Sequence, residues 1–258
     1  MQETEARKPD PLYKDGRFCY TLTSYDPVSV EVEVRDVTNE AVDAALQFAM
    51  IQMGGGPERL LDDAWIQSKF PGAANSGQLK NMIRAKLEAA SAELTRQNKA
   101  NQCAIVLSER LVEQIPQIYI TGLREVVRDT FLTGLVRQEM TVDDYLKESE
   151  ITMAELEKMI NHQTMQTAMQ EAALDAWADK FEIVVEDEEV PDLLPAKAPN
   201  EKRTLEELVE SGRLEEGRIS ARRVKALHDV IRRSECTYKH VAGFTGGIPS
   251  GPATLTMV

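Results

Sequence analysis

Residues 140–192, MTVDDYLKESEITMAELEKMINHQTMQTAMQEAALDAWADKFEIVVEDEEVPD, decide the fold of this chain. Thr141 and Asp144 have the spacing of a capping box, and Thr152 and Glu155 repeat that spacing a few residues later. The first box predicts a short helix, and the second predicts the start of a long one. The stretch therefore indicates a helix, a turn, a long helix and a short extended link.

Apolar residues recur at helical spacing along the long helix, in two runs. They are Met153, Leu156 and Ile160, followed by Met165, Met169, Ala172 and Ala176. The β-branched run at 183–185 and the four acids at 186–189 predict that the helix ends at about Phe181. A methionine-rich helix of this length is the dominant element of the chain.

The order and spacing of these pieces resemble the C-terminal domain of trigger factor, the bacterial chaperone of nascent chains. In that family a xxxDYLxxxxxTxxEL hairpin leads into a long helix and then into a xxIxVxxEEV link. The matching residues here are Asp144, Tyr145, Leu146, Thr152, Glu155, Leu156, Ile183, Val185, Glu188, Glu189 and Val190. The resemblance implies a mainly α, elongated multi-helix (SurA-like) fold with two helical arms and a short β-like N-terminal stretch.

Earlier parts of the chain resemble the same family. Helices are predicted at about 40–53, 78–112 and 117–139, and the family inserts an FKBP-type prolyl isomerase domain after the first of them. Here only GGGPERL, residues 54–60, precedes the next matching segment, and a β-rich domain cannot fit in seven residues. We therefore predict no enzyme activity, although family members are peptidyl-prolyl isomerases. The glycines indicate a helix stop, because no GK[ST] follows them as in a phosphate loop.

Three regions are predicted along the chain. Residues 1–37 are a flexible leader and a short β-like segment, 38–240 are the helical chaperone-like domain, and 241–258 are a disordered tail. Alternating apolar residues predict strands at 19–22 and 28–34, with a turn at Asp26-Pro27 between them.

After Val190 the resemblance weakens. There Pro191, Pro195 and Pro199 are expected to interrupt a helix, Thr204 and Glu207 form a third capping box, and a last helix is predicted from Ile219 to Arg233.

Composition narrows the class of protein. The net charge is −13, which disfavours nucleic-acid binding because such binding needs a basic surface. The basic cluster of residues 218–233 is interleaved with acids and predicts a salt-bridged helix face. No apolar run is long enough for a membrane span, and the first residues lack the apolar core of a signal peptide. We therefore expect a cytoplasmic protein that contacts no membrane.

The resemblance implies an ATP-independent chaperone (holdase) that binds unfolded or nascent polypeptides in a cradle between helical arms. Unbranched methionine side chains adapt to many apolar partners. The candidate substrate-binding residues are Met140, Met153, Met159, Met165, Met169, Ile118 and Phe131. The alternative is that these methionines fill the core of the arm itself.

No motif indicates catalysis, a metal or another cofactor, and the histidines at 162, 228 and 240 are scattered. Full-length trigger factor docks on the ribosome through a GFRxGxxP loop. That loop is not in this sequence, so we expect no ribosome docking by that route. The alternative function is a dedicated protein-interaction or assembly module that binds one partner or itself as a homodimer.

Overall fold

The computed structural model describes residues 8–14, 16–56, 58, 62–194 and 203–244. The described chain is mainly α-helical with a few short strands, which confirms the predicted fold class. Contacts group it into two units, which cut the chain at places other than the predicted boundaries at 37 and 240. The first unit contains the described residues up to Val30 and Gln102–Glu235, and the second contains Glu31–Asn101 and the residues from Cys236.

The elements are named in chain order. The strands are β1 (Leu12–Lys14), β2 (Arg17–Cys19), β3 (Ser29–Asp36) and β4 (Glu235–Ala242). The helices are α1 (Asn39–Gln52), α2 (Asp63–Lys69), α3 (Ser76–Ser108), α4 (Gln117–Arg137), α5 (Val142–Glu148), α6 (Met153–Lys180), α7 (Val190–Leu193), α8 (Leu205–Glu210) and α9 (Leu214–Arg233).

The three predicted capping boxes are present. Thr141 accepts a hydrogen bond from the backbone N–H of Asp144, and the Asp144 side chain accepts one from the backbone of Thr141. Thr152 with Glu155, and Thr204 with Glu207, make the same reciprocal pairs at the starts of α6 and α8. Each box satisfies two backbone donors that a helix start leaves free. These caps fix where α5, α6 and α8 begin.

In the first unit, α6 is shared between two groups of helices. Its N-terminal half packs with α4 and α5 around Leu156 and Ile160. Its C-terminal half packs against α9. Both helices carry buried alanines, among them Ala172 and Ala226. A separate small core of Val190, Leu208 and Ala221 joins α7 and α8 to α9.

The second unit has its own core. Leu46 and Met50 of α1 pack with Ile66 of α2 and Leu79 of α3, and Ala73 completes the cluster. Strands β3 and β4 form a two-stranded sheet. The Ser91 hydroxyl of α3 donates a hydrogen bond to the Arg35 carbonyl of β3 at 2.6 Å. This bond and the apolar cluster hold the helices and the sheet of the unit together.

The strands predicted at 19–22 and 28–34 differ from the observed ones in their bounds, and the observed strands there do not pair with each other. Strand β1 pairs with β2 in antiparallel register, Leu12 opposite Cys19, and β3 pairs with β4. Leu22 instead forms an isolated bridge with Leu111. Strand β4 follows α9, about 200 residues after β3, so local alternation could not reveal this partner. The described part of the predicted flexible leader is also bound, since the backbone N–H of Gln114 donates to the Pro9 carbonyl at 2.9 Å.

Other differences lie near the C-terminus. No strand was predicted at β4, whose last two residues, 241 and 242, belong to the segment predicted to be disordered; residues 245–258 lie outside the described residues. Pro191 occupies the first turn of α7, where a missing N–H costs nothing, so it starts a helix and does not break one. Pro195 and Pro199 lie outside the described residues. The last helix begins at Leu214, five residues before the predicted start at Ile219.

Candidate functional site

The hairpin of α4, α5 and the N-terminal half of α6, here called the arm, has a continuous apolar core. Val127 and Leu135 of α4 pack against Ile160 of α6. The rings of Phe131 and Tyr145 meet edge to face with centroids 5.1 Å apart. Such aromatic pairs add about 0.5–1.5 kcal/mol beyond their burial. The arm therefore has a core that leaves other apolar side chains free to face solvent.

Ion pairs also join the two long helices of the arm. Arg124 of α4 donates to Glu157 of α6 at 2.5 Å, and Arg128 of the next turn donates to the other oxygen of the same carboxylate. These side chains are partly exposed, so the pairs contribute modestly to stability. They align α4 with α6 on the flank of the apolar core.

The structure separates the predicted binding residues into three groups. Four lie on the surface of the arm, and their exposed fractions are 77% for Ile118, 48% for Met153, 47% for Met159 and 39% for Met165. Met140 and Met169 are half-buried, and Met140 packs on the arm core. Phe131 is 5% exposed and belongs to that core. A polypeptide on the arm could therefore contact the first group without any change in packing.

The predicted apolar face of α6 is wrong in its middle. The buried face continues from Ile160 through Thr164 and Ala168 to Ala172, whereas the prediction ran through Met165 and Met169. Thr164 is fully buried, and its hydroxyl is satisfied there by donating to the Ile160 carbonyl at 2.7 Å. A small or hydroxyl-bearing residue gives little hydrophobic signal, so the larger methionines one position later misled the sequence interpretation. Met165 is exposed because it lies off this face.

Sequence reasoning missed several exposed apolar residues on α4. They are Val126, Leu132 and Val136. The signal was available in the helical period, because the buried positions Val127, Phe131 and Leu135 recur every fourth residue and these three residues lie off that series. Both long helices of the arm thus present aliphatic or methionine side chains to solvent.

The root of the arm, where α4 begins and α6 meets α9, contains a polar network. The Arg223 guanidinium of α9 lies 2.7 Å from Asp175 and 3.0 Å from Glu171, both on α6. The Tyr119 hydroxyl of α4 donates to Glu171, and burial raises the pKa of Tyr119. Burial, with the charge of Asp175, also raises the pKa of nearby Tyr20 to about 12. The Tyr119 hydroxyl and the Arg223 guanidinium therefore satisfy the carboxylates of this root.

One turn further along α6, the Asp179 carboxylate accepts hydrogen bonds from two arginines. Arg17 of β2 donates through both terminal nitrogens at 2.8 Å, and Arg222 of α9 donates at 2.7 Å. Burial alone would raise the pKa of Asp179, but these hydrogen bonds outweigh it and lower that pKa. The carboxylate of Asp179 thus connects α6 to α9 and to the β1–β2 pair of strands.

The predicted salt-bridged face of α9 is confirmed. Besides Arg222 and Arg223, the basic residues of the cluster pair with acids of α9 itself or of the segment before α7. The pairs are Arg218 with Asp187 and Glu215, Lys225 with Glu189, and Arg232 and Arg233 with Asp229. Arginines engaged in this way are not an open basic patch of the kind that nucleic acid requires.

No group of three or more histidine, cysteine or acidic side chains in the described parts of the chain has the geometry to hold a metal ion. Of the helices that could be searched within those parts, none is both long and apolar enough to cross a bilayer. The loop between α1 and α2 spans only residues 53–62, of which 57 and 59–61 lie outside the described residues.

The fold and the arm define a mainly α-helical protein with apolar side chains displayed along a helical hairpin. The family model of the bacterial trigger factor protein C-terminus matches residues 77–229, more than half of the chain. The chain therefore belongs to the trigger factor C-terminal family, as its sequence predicted. The matched region contains the whole arm and nearly all of α9.

The crystal structure of the hypothetical Mycoplasma protein MPN555 is also similar to this chain. The similarity covers 85% of this chain and 90% of that one, with 12% sequence identity and a TM-score of 0.41. At this TM-score it supports no conclusion about fold or function. No curated protein matches the chain significantly.

Proposed function

We propose that this protein is an ATP-independent chaperone that holds unfolded or nascent polypeptides on the surface of the arm. The family is chaperone-related. The observation that supports the proposal most is the exposure of Ile118, Met153, Met159 and Met165 on a hairpin whose own core is complete without them. Phe131 is left out of the proposed surface because it fills that core, and Met140 and Met169 contribute only their exposed edges.

Weak contacts distributed along the arm suit a client without fixed structure. Fully burying one aliphatic or methionine side chain contributes about 1.5–3 kcal/mol, and a half-exposed one contributes correspondingly less. A few such contacts offset the cost of ordering an extended segment, and none of them demands a particular sequence. Flexible methionine surfaces repack against different partners, which is the basis of broad specificity.

A binding titration tests the proposal. A labelled, permanently unfolded protein is titrated with the chain in the absence of nucleotide, and the same protein in its native state is the control. We expect saturable binding of the unfolded form only, at micromolar concentrations. Equal binding of both forms, or of neither, would contradict the proposal.

The proposal also includes two expectations from the sequence. We propose that the chain has no prolyl isomerase activity, because residues 53–62 replace the inserted domain of the family, and a proline-limited refolding assay checks this. We further propose a cytoplasmic protein that does not bind ribosomes, since the net charge of −13 opposes association with RNA. Co-sedimentation with ribosomes at physiological salt would contradict the second expectation.

An assembly module that binds one partner or itself is the second candidate. The observation that favours it is a different apolar surface in the second unit, formed by Phe48, Ile51 and Met53 at the C-terminal end of α1. No charged residue occurs between Ala44 and Gly54. Sedimentation equilibrium of the purified chain, with and without Ile51→Ser, separates self-association through this surface from client binding through the arm.

A further inference from the structure

The methionine side chains of the described residues differ sharply in exposure. Met153, Met159 and Met165 have between 39% and 48% of their surface in contact with solvent. By contrast, Met50 in the core of the second unit is 1% exposed, and Met140 packs on the arm core. Thioether oxidation requires access to the sulfur, so these three methionines of the arm should react before the buried ones.

Their positions distribute the sulfurs around α6. Successive members are six residues apart, which advances about 9 Å along a helix and turns by about 240°. They therefore lie on different sides of the helix, and a polypeptide that contacts any exposed side of the N-terminal half of α6 would meet one of them. Met159 and Met165 lie off the buried series that runs through Leu156, Ile160 and Thr164. Met153 is in line with that series but is exposed at the first residue of the helix.

We propose that Met153, Met159 and Met165 form an oxidation site through which two-electron oxidants, such as hydrogen peroxide or hypochlorite, switch polypeptide binding by the arm off. This inference rests on the proposed function, because it assigns regulation to the same surface. The modification is the reversible conversion of the three thioethers to sulfoxides.

Oxidation of a thioether by peroxide requires no further group of the protein. The sulfur lone pair attacks one peroxide oxygen, a sulfur–oxygen bond forms and the oxygen–oxygen bond breaks. The sulfur is oxidised by two electrons, and the peroxide is reduced to water. With hypochlorite the leaving group is chloride. Sulfoxide reductases reverse the step, with two thiols giving up two electrons to form a disulfide while the oxygen leaves as water.

The consequence follows from polarity and from position. A sulfoxide is polar, so burying it against a client no longer removes apolar surface from water. Because the three side chains lie outside the core formed by Val127, Leu135, Ile160 and their neighbours, their oxidation leaves that core intact. We therefore infer that oxidation weakens client binding while the arm remains folded.

The experiment compares the full chain with the triple variant Met153→Leu, Met159→Leu, Met165→Leu, which keeps apolar side chains but has no oxidisable sulfur there. Both are exposed to graded hydrogen peroxide, and peptide mass spectrometry locates the sulfoxides. Aggregation of an unfolded client is then followed by light scattering. The matched control is Met53→Leu, which removes an equally exposed methionine from the second unit.

Oxidation should raise the concentration of wild-type chain needed for half-maximal suppression by about fivefold or more, with the melting temperature nearly unchanged. Relative to its own untreated sample, the triple variant should be insensitive to peroxide, whereas Met53→Leu should lose suppression to the same extent as the wild type. A sulfoxide reductase should restore the activity of the oxidised wild type. Equal inactivation of the triple variant, or full activity of the oxidised wild type, would overturn the inference alone. No suppression by the untreated chain would contradict the proposed function and this inference together.

Discussion

Arg223 of α9 and Asp175 of α6 form a bidentate ion pair, with Nη2 and Nε of the guanidinium 2.7 and 3.0 Å from the two carboxylate oxygens. Both side chains are less than a fifth exposed. The pair joins α6 to α9. A substitution that removes only one partner leaves the other charge largely buried without a counter-charge. We therefore expect that losing this pair destabilises the root of the arm more than losing any of the other contacts described there.

Replacing Arg223 with methionine should destabilise the first unit by about 3 kcal/mol, because it strands Asp175 and Glu171 without a counter-charge in a largely buried place. Denaturant unfolding followed by Trp177 fluorescence, in a Trp65→Phe background, reports on this unit. The control is Arg213→Met, whose pair with Glu216 is well exposed and should contribute less than about 1 kcal/mol. Equal effects of the two substitutions would contradict the assignment.

Acid should weaken the contact of α6 with α9 and the N-terminal hairpin through Asp179. Its arginine partners lower its pKa in the folded chain, whereas the unfolded value is about 3.9. A depressed folded-state pKa means that the stabilisation is present above the unfolded pKa and is lost as the pH falls through the folded one. We expect the free energy of unfolding to decline from about pH 5 towards pH 3, and the decline to be smaller for Asp179→Asn. Parallel pH profiles would refute this.

Three glutamates end helices in the left-handed region among the described residues, namely Glu139, Glu150 and Glu182. After α5, the backbone N–H of Ile151 donates to the Leu146 carbonyl at 3.1 Å, which places Glu150, at φ 53°, where glycine is usually found. Glu150→Gly should therefore stabilise the protein by about 1 kcal/mol. Glu150→Ala separates the backbone from the side chain, because alanine keeps the strain. A gain in Tm with alanine equal to that with glycine would show that the left-handed backbone is not the cause.

The exposed methionines of the arm should act on clients and not on folding. Met159→Ser and Met165→Ser are expected to weaken aggregation suppression while shifting the melting temperature by no more than about 2 °C, since neither side chain fills the core. Val209→Ser on α8, which replaces another exposed apolar residue, is the matched control and should leave suppression unchanged. If each methionine substitution lowers the melting temperature by many degrees, these side chains serve the core of the arm instead.

Local signals in the sequence predicted the helix starts well. The pairs Thr141–Asp144 and Thr152–Glu155 form the predicted boxes, because capping depends on residues three apart. Local signals could not predict that β3 pairs with β4, since β4 is distant in sequence and its residues are mostly exposed. Helix ends were harder to see as well, because glutamate rather than glycine occupies positions such as Glu150.

The candidate site was predicted in part. The helices that carry it were placed correctly, but hydrophobicity alone cannot distinguish an exposed methionine from a buried one. Phe131 and Met159 were equally apolar candidates, yet the first fills the core and the second faces solvent. Periodicity could have placed Phe131 on the buried face of α4 with Val127 and Leu135. On α6 the buried Thr164 and Ala168 give little hydrophobic signal, so the period did not separate Met165 from the core.

The most direct test of the central claim is the light scattering of a chemically unfolded client diluted into buffer with the purified chain and no nucleotide. We expect scattering to fall in proportion to the added chain and to be largely suppressed at a few chains per client molecule, with albumin as an inert control. Aggregation that proceeds undiminished at a tenfold excess of folded chain would contradict the claim that this protein holds unfolded polypeptides.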